Sequence, residues 1–321
     1  MKLGVMGALF GGMSIDDALD YCKKVGLDAI ELPCGAYPGD PWNLIGITED
    51  PARLDELKGK VADRDLIVQG IACHGNPVHP DKAIAEEHAK AHRSGVLLAE
   101  AMDTVVINFS GCPAGCAEDK TPNFVTCPWP DEYAAASAYQ WNDVIIPFWK
   151  EENAFAADHG VKIAFEAHPG MVLHNPEDVV RLREAAGEQL GANLDPSHFF
   201  WQGIDPVETV RYLGEAGCIF HVHAKDCTID KRNSEAITGN LDVKSYGDVK
   251  TRAWVFCTCG YGHGDEFWKP FIHMLARYEY DGVLSIEHED SLMSINEGFE
   301  KAVEYLKPLI LREKAGEAWW F

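Results

Sequence analysis

The stretch Lys162-Ile163-Ala164-Phe165-Glu166-Ala167, the helical pattern Pro176–Ala186 and the run Gly191-Ala192-Asn193-Leu194-Asp195 decide the fold. Two short β-type runs separated by a helix of this length read as parallel strands joined by a covering helix. Outward in both directions the unit repeats. Strands are expected at residues 3–9, 29–33, 67–73, 104–109, 162–167, 191–194, 219–224 and 283–287. Helical segments follow at 15–25, 51–64, 82–102, 141–159, 176–186, 206–214, 267–278 and 295–311. Eight strand-then-helix units close an α/β structure, a (β/α)8 TIM barrel. No low-complexity linker or composition shift divides it, so residues 1–321 are expected to form one domain. Long connections follow strands four and seven, at 111–130 and 227–265, and both belong to the face where strand C-termini open.

Composition narrows the function. Lys and Arg number 28 against 51 Asp and Glu, a net charge of −23, which argues against nucleic acid because phosphate binding needs clustered positive charge. The apolar run 3–10 is too short for a signal peptide and opens onto a helix cap at Ser14. No stretch is long and apolar enough to span a membrane, so a cytoplasmic protein is expected. Ten cysteines lack the spacing of a structural zinc site or a secreted disulfide framework. They read as small apolar residues.

The chemistry lies at strand ends. Glu166, Asp195, His223 and Glu287 each close one of four consecutive strands, and in a closed barrel those ends converge on one rim. Three carboxylates without a cation repel one another and are costly to desolvate, so a divalent ion is expected among them. The oxygen-rich donor set favours Mn²⁺, with Mg²⁺, Co²⁺ or Zn²⁺ also accommodated. His221 shares a strand face with His223 but lies farther from the rim, which argues against it as a ligand. His74, closing strand three, and His198, three residues after Asp195, are expected to bind substrate or shuttle a proton. His168 is expected to line the pocket or support Glu166. Lys225 either binds substrate oxygens or pairs with Asp226, and Arg252, in the second long loop, is expected on the substrate side. Tyr37, Trp42, Trp129, Trp201 and Trp254 read one by one as packing residues and as a set as a stacking surface for a ring-shaped ligand.

The segments Phe165-Glu166-Ala167-His168-Pro169-Gly170, Asn193-Leu194-Asp195-Pro196-Ser197-His198, His221-Val222-His223-Ala224-Lys225-Asp226 and Ser285-Ile286-Glu287-His288-Glu289-Asp290 resemble the sugar phosphate isomerase/epimerase family, the xylose-isomerase-like TIM barrels. The resemblance covers essentially the whole chain. It implies one divalent metal held by Glu166, Asp195, His223 and Glu287. In the ketose 3-epimerases of that family the first and last Glu are also the acid/base pair, with His74 a further catalytic candidate here. The cation stabilises an enediolate when a C–H proton leaves beside a carbonyl. Returning the proton epimerises or isomerises, and expelling a β-substituent eliminates.

Among the family's activities, endonuclease IV needs further zinc ligands and a basic surface that this chain lacks. No Gly-rich cradle or cationic cluster suggests a phosphate ligand, so a neutral keto-sugar or glycoside is the expected substrate. Metal-dependent isomerisation or epimerisation is the leading expectation. The segments 3–12, 74–80, 110–130 and 246–262 are also similar to the α subunits of C-glycoside deglycosidases, lyases acting on 3-oxo-glucosides with a small β subunit. In that case Ala318-Trp319-Trp320-Phe321 serves as a partner-binding tail or packs on its own barrel. Homo-oligomer and hetero-oligomer with a β subunit both stay open.

Overall fold

Alternation of side chains along each strand builds the molecule. In the seventh barrel strand, Ile219–Ala224, Val222 and Ala224 join the apolar core, while His221 and His223 turn toward the barrel axis. The eighth, Val283–Ile286, repeats the division: Leu284 and Ile286 enter the core, and Ser285 donates to a carboxylate inside the barrel. Period-two geometry produces both faces at once.

The computed structural model describes residues 1–314, 316, 319 and 320. Eight parallel strands, Lys2–Met6, Ala29–Pro33, Ile67–Ala72, Val106–Asn108, Ile163–Glu166, Leu190–Leu194, Ile219–Ala224 and Val283–Ile286, close into a barrel. The first pairs with the last from Lys2↔Val283 to Val5↔Ile286. Closure leaves no sheet edge and gathers the strand ends on one rim.

The helices are punctuated locally. Ser14 Oγ accepts the Asp17 amide at 3.1 Å to start helix Ile15–Val25, and Gly26 at φ 80° ends it, the conformation that glycine adopts without a Cβ penalty. Its buried face, Ala18, Leu19 and Cys22, lies against the outer surface of the sheet. Burial of Leu19 is worth about 2 kcal/mol, and Leu19→Ala costs roughly 2–5 kcal/mol with the cavity included.

Three departures from the sequence reading have local causes. The first strand ends at Met6 because Gly7–Phe10 form a 3₁₀ turn. The helix expected to begin at 141 starts at Asp131 and passes through one π-turn, Gln140–Ile145, before continuing as Ile146–Asp158. The irregularity sits beside Pro147, which lacks the N–H that a regular helix would use. The connection after strand seven is not a plain loop: Asp226–Ile229 and Trp254–Cys257 pair as an antiparallel hairpin within it. Among the described residues no helix is long and apolar enough to cross a membrane. Of the terminal tail, Ala318 and Phe321 lie outside the described residues, and Trp319 and Trp320 are exposed.

Candidate metal centre and substrate pocket

Glu166, Asp195, His223 and Glu287 each place one ligand atom within 4.8 Å of all the others. An ion with ligands at about 2.1 Å separates them by about 3 Å side by side and about 4.2 Å across, so the cluster is of the right size.

Local sequence aims each group. Asp195 caps the short helix Pro196–Phe200: its Oδ1 accepts the Ser197 amide at 2.8 Å, and Pro196 at the first helical position needs no donor partner. Oδ2 is thereby left pointing into the cluster. One turn on, the same helix sets His198 Nε2 3.4 Å from Asp195 Oδ2 and 3.0 Å from Glu166 Oε1. Glu166 Oε2 is met by Asn193 Nδ2 at 3.0 Å, His74 Nε2 at 3.2 Å and His223 Nδ1 at 3.0 Å. Glu287 Oε2 lies 3.2 Å from His223 Nδ1 and accepts from Lys225 Nζ at 2.7 Å.

Two atoms show that the set fits a cation. Asp195 Oδ2 and His223 Nδ1 are enclosed, and although Lys225 Nζ and the Glu166 carboxylate stand 3.1 and 3.0 Å away, neither atom makes a well-aligned hydrogen bond among the described residues. Buried polar atoms are normally satisfied. A hard divalent ion accepted by three carboxylates and one imidazole satisfies both.

The charges agree. Burial pushes the Glu166 carboxyl up, but His198, His223 and His74 outweigh it and hold it well below the usual range. Burial likewise opposes ionisation of Glu287, and Lys225 pulls its carboxyl down to about 2. Burial pushes the Lys225 ammonium down, while Asp195, Glu287 and Glu289 together hold it well above its ordinary value. Lys225 Nζ lies 3.1 Å from Asp195 Oδ2 and 3.1 Å from Glu289 Oε2, so it is an internal counter-charge to the acidic cluster. Burial and the His198 charge push His168 down to about 3, leaving a neutral ring 4.2 Å from that of His198.

A cavity of about 390 Å³ opens onto this cluster. Met6, Leu9, Tyr37, Pro38 and Phe109 form an apolar wall, and His74, Glu287, His288 and Glu289 a polar one. His74 joins the two, lining the cavity while its Nε2 touches Glu166.

Not every expected residue comes here. Arg252 is buried inside the second long loop, donating Nε to Trp254 O at 3.1 Å and Nη1 to Lys244 O, with its guanidinium over Tyr246 and Trp254. Of the five aromatic residues, Tyr37 lines the cavity. Trp201 and Trp254 stack on each other at 4.4 Å, Trp42 donates to Met13 O, and Trp129 is exposed. His221 stands outside the four-residue cluster, its Nε2 3.2 Å from Glu31 Oε2. Glu31 and Asn193 were missed as members of the site. A charged residue inside the otherwise apolar run Ala29–Pro33 is the signal that marks Glu31.

A xylose isomerase-like TIM barrel model matches residues 19–309, and the chain belongs to that family. Over 97% of its length it is 36% identical to the uncharacterized protein YfiH of Bacillus subtilis (strain 168), covering 99% of that protein. It is 31% identical to inosose dehydratase of Clostridium botulinum (strain Alaska E43 / Type E3) over 159 residues, 47% of this chain and 49% of that one. The structure of 3-keto-D-glucoside 4-epimerase, YcjR, from E. coli superposes with a TM-score of 0.67 at 12% identity, covering 96% of this chain and 99% of the other. That likeness is one of fold.

Proposed function

We propose that the protein is a divalent-metal-dependent enzyme that enolises a neutral keto-sugar or 3-keto-glycoside and returns the proton, an isomerase or epimerase. The observation that carries this reading is the pair Glu166 and Glu287 converging with Asp195 and His223 at the floor of a cavity. The site would be held by these four residues. A bound divalent ion supplies Lewis acidity toward a carbonyl oxygen and its neighbouring hydroxyl, and the donor set favours Mn²⁺.

The chain's own groups do the rest. Glu166 and Glu287 are both held ionised at neutral pH, each ready to take a proton from a carbon beside the carbonyl. His74 and His198 donate to Glu166 and fix its orientation, and His74 faces substrate as well. His168 lines the far side of His198 as a neutral ring. Lys225 donates to Glu287 and balances the negative charge of the acidic cluster. Among the described lining residues there is no Arg or Lys, while Glu287 and Glu289 are present. A phosphorylated sugar would meet repulsion there, and a neutral one would not.

Similarity to inosose dehydratase favours a second reading, in which the same carbanion expels a β-substituent, water or an aglycone. Proton abstraction is common to both. The test is to incubate Mn²⁺-loaded enzyme in D₂O with ketoses, inososes and 3-oxo-glycosides. Deuterium entering recovered sugar or its epimer supports the first reading, and an unsaturated product or free aglycone the second. No exchange and no product across the panel overturns both.

A further inference from the structure

We propose that Glu31 is a positioning residue for the metal centre: it accepts the Nε2 proton of His223 and so turns the Nδ1 lone pair toward Glu166, Asp195 and Glu287. The inference rests on the reading of that cluster as a metal centre.

Glu31 stands in the fully buried second strand with no exposed surface. A carboxylate in such a place is costly unless paired. Three donors meet its Oε2: His223 Nε2 at 3.1 Å, His221 Nε2 at 3.2 Å and Ser285 Oγ at 3.0 Å. They come from strands seven and eight, so Glu31 joins the second strand to both across the barrel interior. Gly4, in the sheet between Ala29 and Ser285, leaves room for the Gln69 carboxamide, which a Cβ there would meet.

The two ring nitrogens of His223 have different surroundings. Nε2 faces Glu31, whereas Nδ1 faces Glu166 at 3.0 Å and Glu287 at 3.2 Å without a well-aligned hydrogen bond to either. A neutral imidazole carries one N–H, and the nitrogen that donates determines which one is free to ligate. Glu31 accepts the Nε2 proton whatever the charge of the ring, so the orientation follows from geometry. A carboxylate behind a ligating histidine fixes its tautomer and strengthens its donation.

The test measures Mn²⁺ and Zn²⁺ binding to the full chain by calorimetry, with ¹⁵N chemical shifts of His223 in the Zn²⁺-loaded protein. Wild type is expected to bind one ion, with Nδ1 shifted as a ligand and Nε2 protonated. Glu31→Leu is expected to weaken binding about 10–100-fold, and Glu31→Gln, which keeps a carbonyl acceptor, to recover part of it. Should Glu31→Leu fail to fold, Glu31→Gln still reports through the His223 shifts, and an altered tautomer balance supports the role. Unchanged affinity and unchanged shifts in the variants, with wild type binding one ion, overturn the Glu31 assignment and leave the metal centre standing. Two ions per chain, one lost in Glu31→Gln, overturn it too, because Glu31 is then a ligand. Absence of binding by wild type overturns the metal centre itself, and the assignment with it.

Discussion

Glu166 and Glu287 meet at one nitrogen: His223 Nδ1 lies 3.0 Å from Oε2 of the first and 3.2 Å from Oε2 of the second. Two acidic side chains from the fifth and eighth strand ends thus share a focus at the cavity floor. Because both are ionised, either can accept a proton, and neither is replaceable by an amide. Glu166→Gln and Glu287→Gln are each expected to lower solvent deuterium exchange into substrate by about 10²–10⁴-fold with the circular dichroism spectrum retained. Exchange at wild-type rates in either variant removes that residue from the proton transfer.

Lys225 is the internal counter-charge of the acidic cluster. With its ammonium 2.7 Å from Glu287 and 3.1 Å from Asp195, it offsets the repulsion within the cluster. Chelation is therefore expected to lower the melting temperature without unfolding the protein. Restoring Mn²⁺ to a hundred times its Kd adds about 2.7 kcal/mol of stability, and Asp195→Asn loses that increment. Thermal unfolding with and without metal measures it, and identical curves for wild type would contradict the centre.

Arg252 tests loop architecture against substrate contact. Its guanidinium is engaged by Trp254 O and Lys244 O between two aromatic rings. Truncation to Ala is expected to cost about 2–3 kcal/mol and to speed proteolysis between residues 227 and 265. Lys at this position restores little, because it lacks the planar fork. Limited proteolysis mapped by mass spectrometry decides the matter. An unchanged cleavage pattern with a raised KM would place Arg252 against the substrate instead.

His92 supplies an acid-side liability remote from the cluster. Burial and the neighbouring Arg93 charge lower its pKa from 6.5 to about 3. Between those values the unfolded chain binds the extra proton, so stability rises with pH. This contribution is complete above about pH 6.5 and is lost as pH falls toward 3, with a slope of at most about 1.4 kcal/mol per pH unit. Urea unfolding from pH 4 to 7 is expected to show a shallower slope in His92→Gln. Parallel slopes would assign the acid sensitivity elsewhere.

Much of this was legible before any coordinates. The four ligand candidates are polar residues closing apolar runs, and distance from the rim along a shared strand face separated His223 from His221. Glu31 was read as part of an apolar strand, because nothing near it in the sequence announces the two histidines it meets about 190 positions later. The second long connection failed for a related reason. Pairing Asp226–Ile229 with Trp254–Cys257 closes over a 24-residue excursion, and Arg252 and Trp201 pack on Trp254 beside it, contacts between segments distant in sequence.

By itself the sequence determined the strand-and-helix rhythm, and with it the barrel and the side chains delivered to its rim, since periodicity is a property of neighbouring residues. Tertiary structure alone decided which of those side chains touch. That depends on strand register and on closure between the first and last strands, which bring Glu31 to His223, and on packing inside the second long loop, which engages Arg252. Contacts across a barrel are set by packing between distant segments, and local pattern carries no record of them.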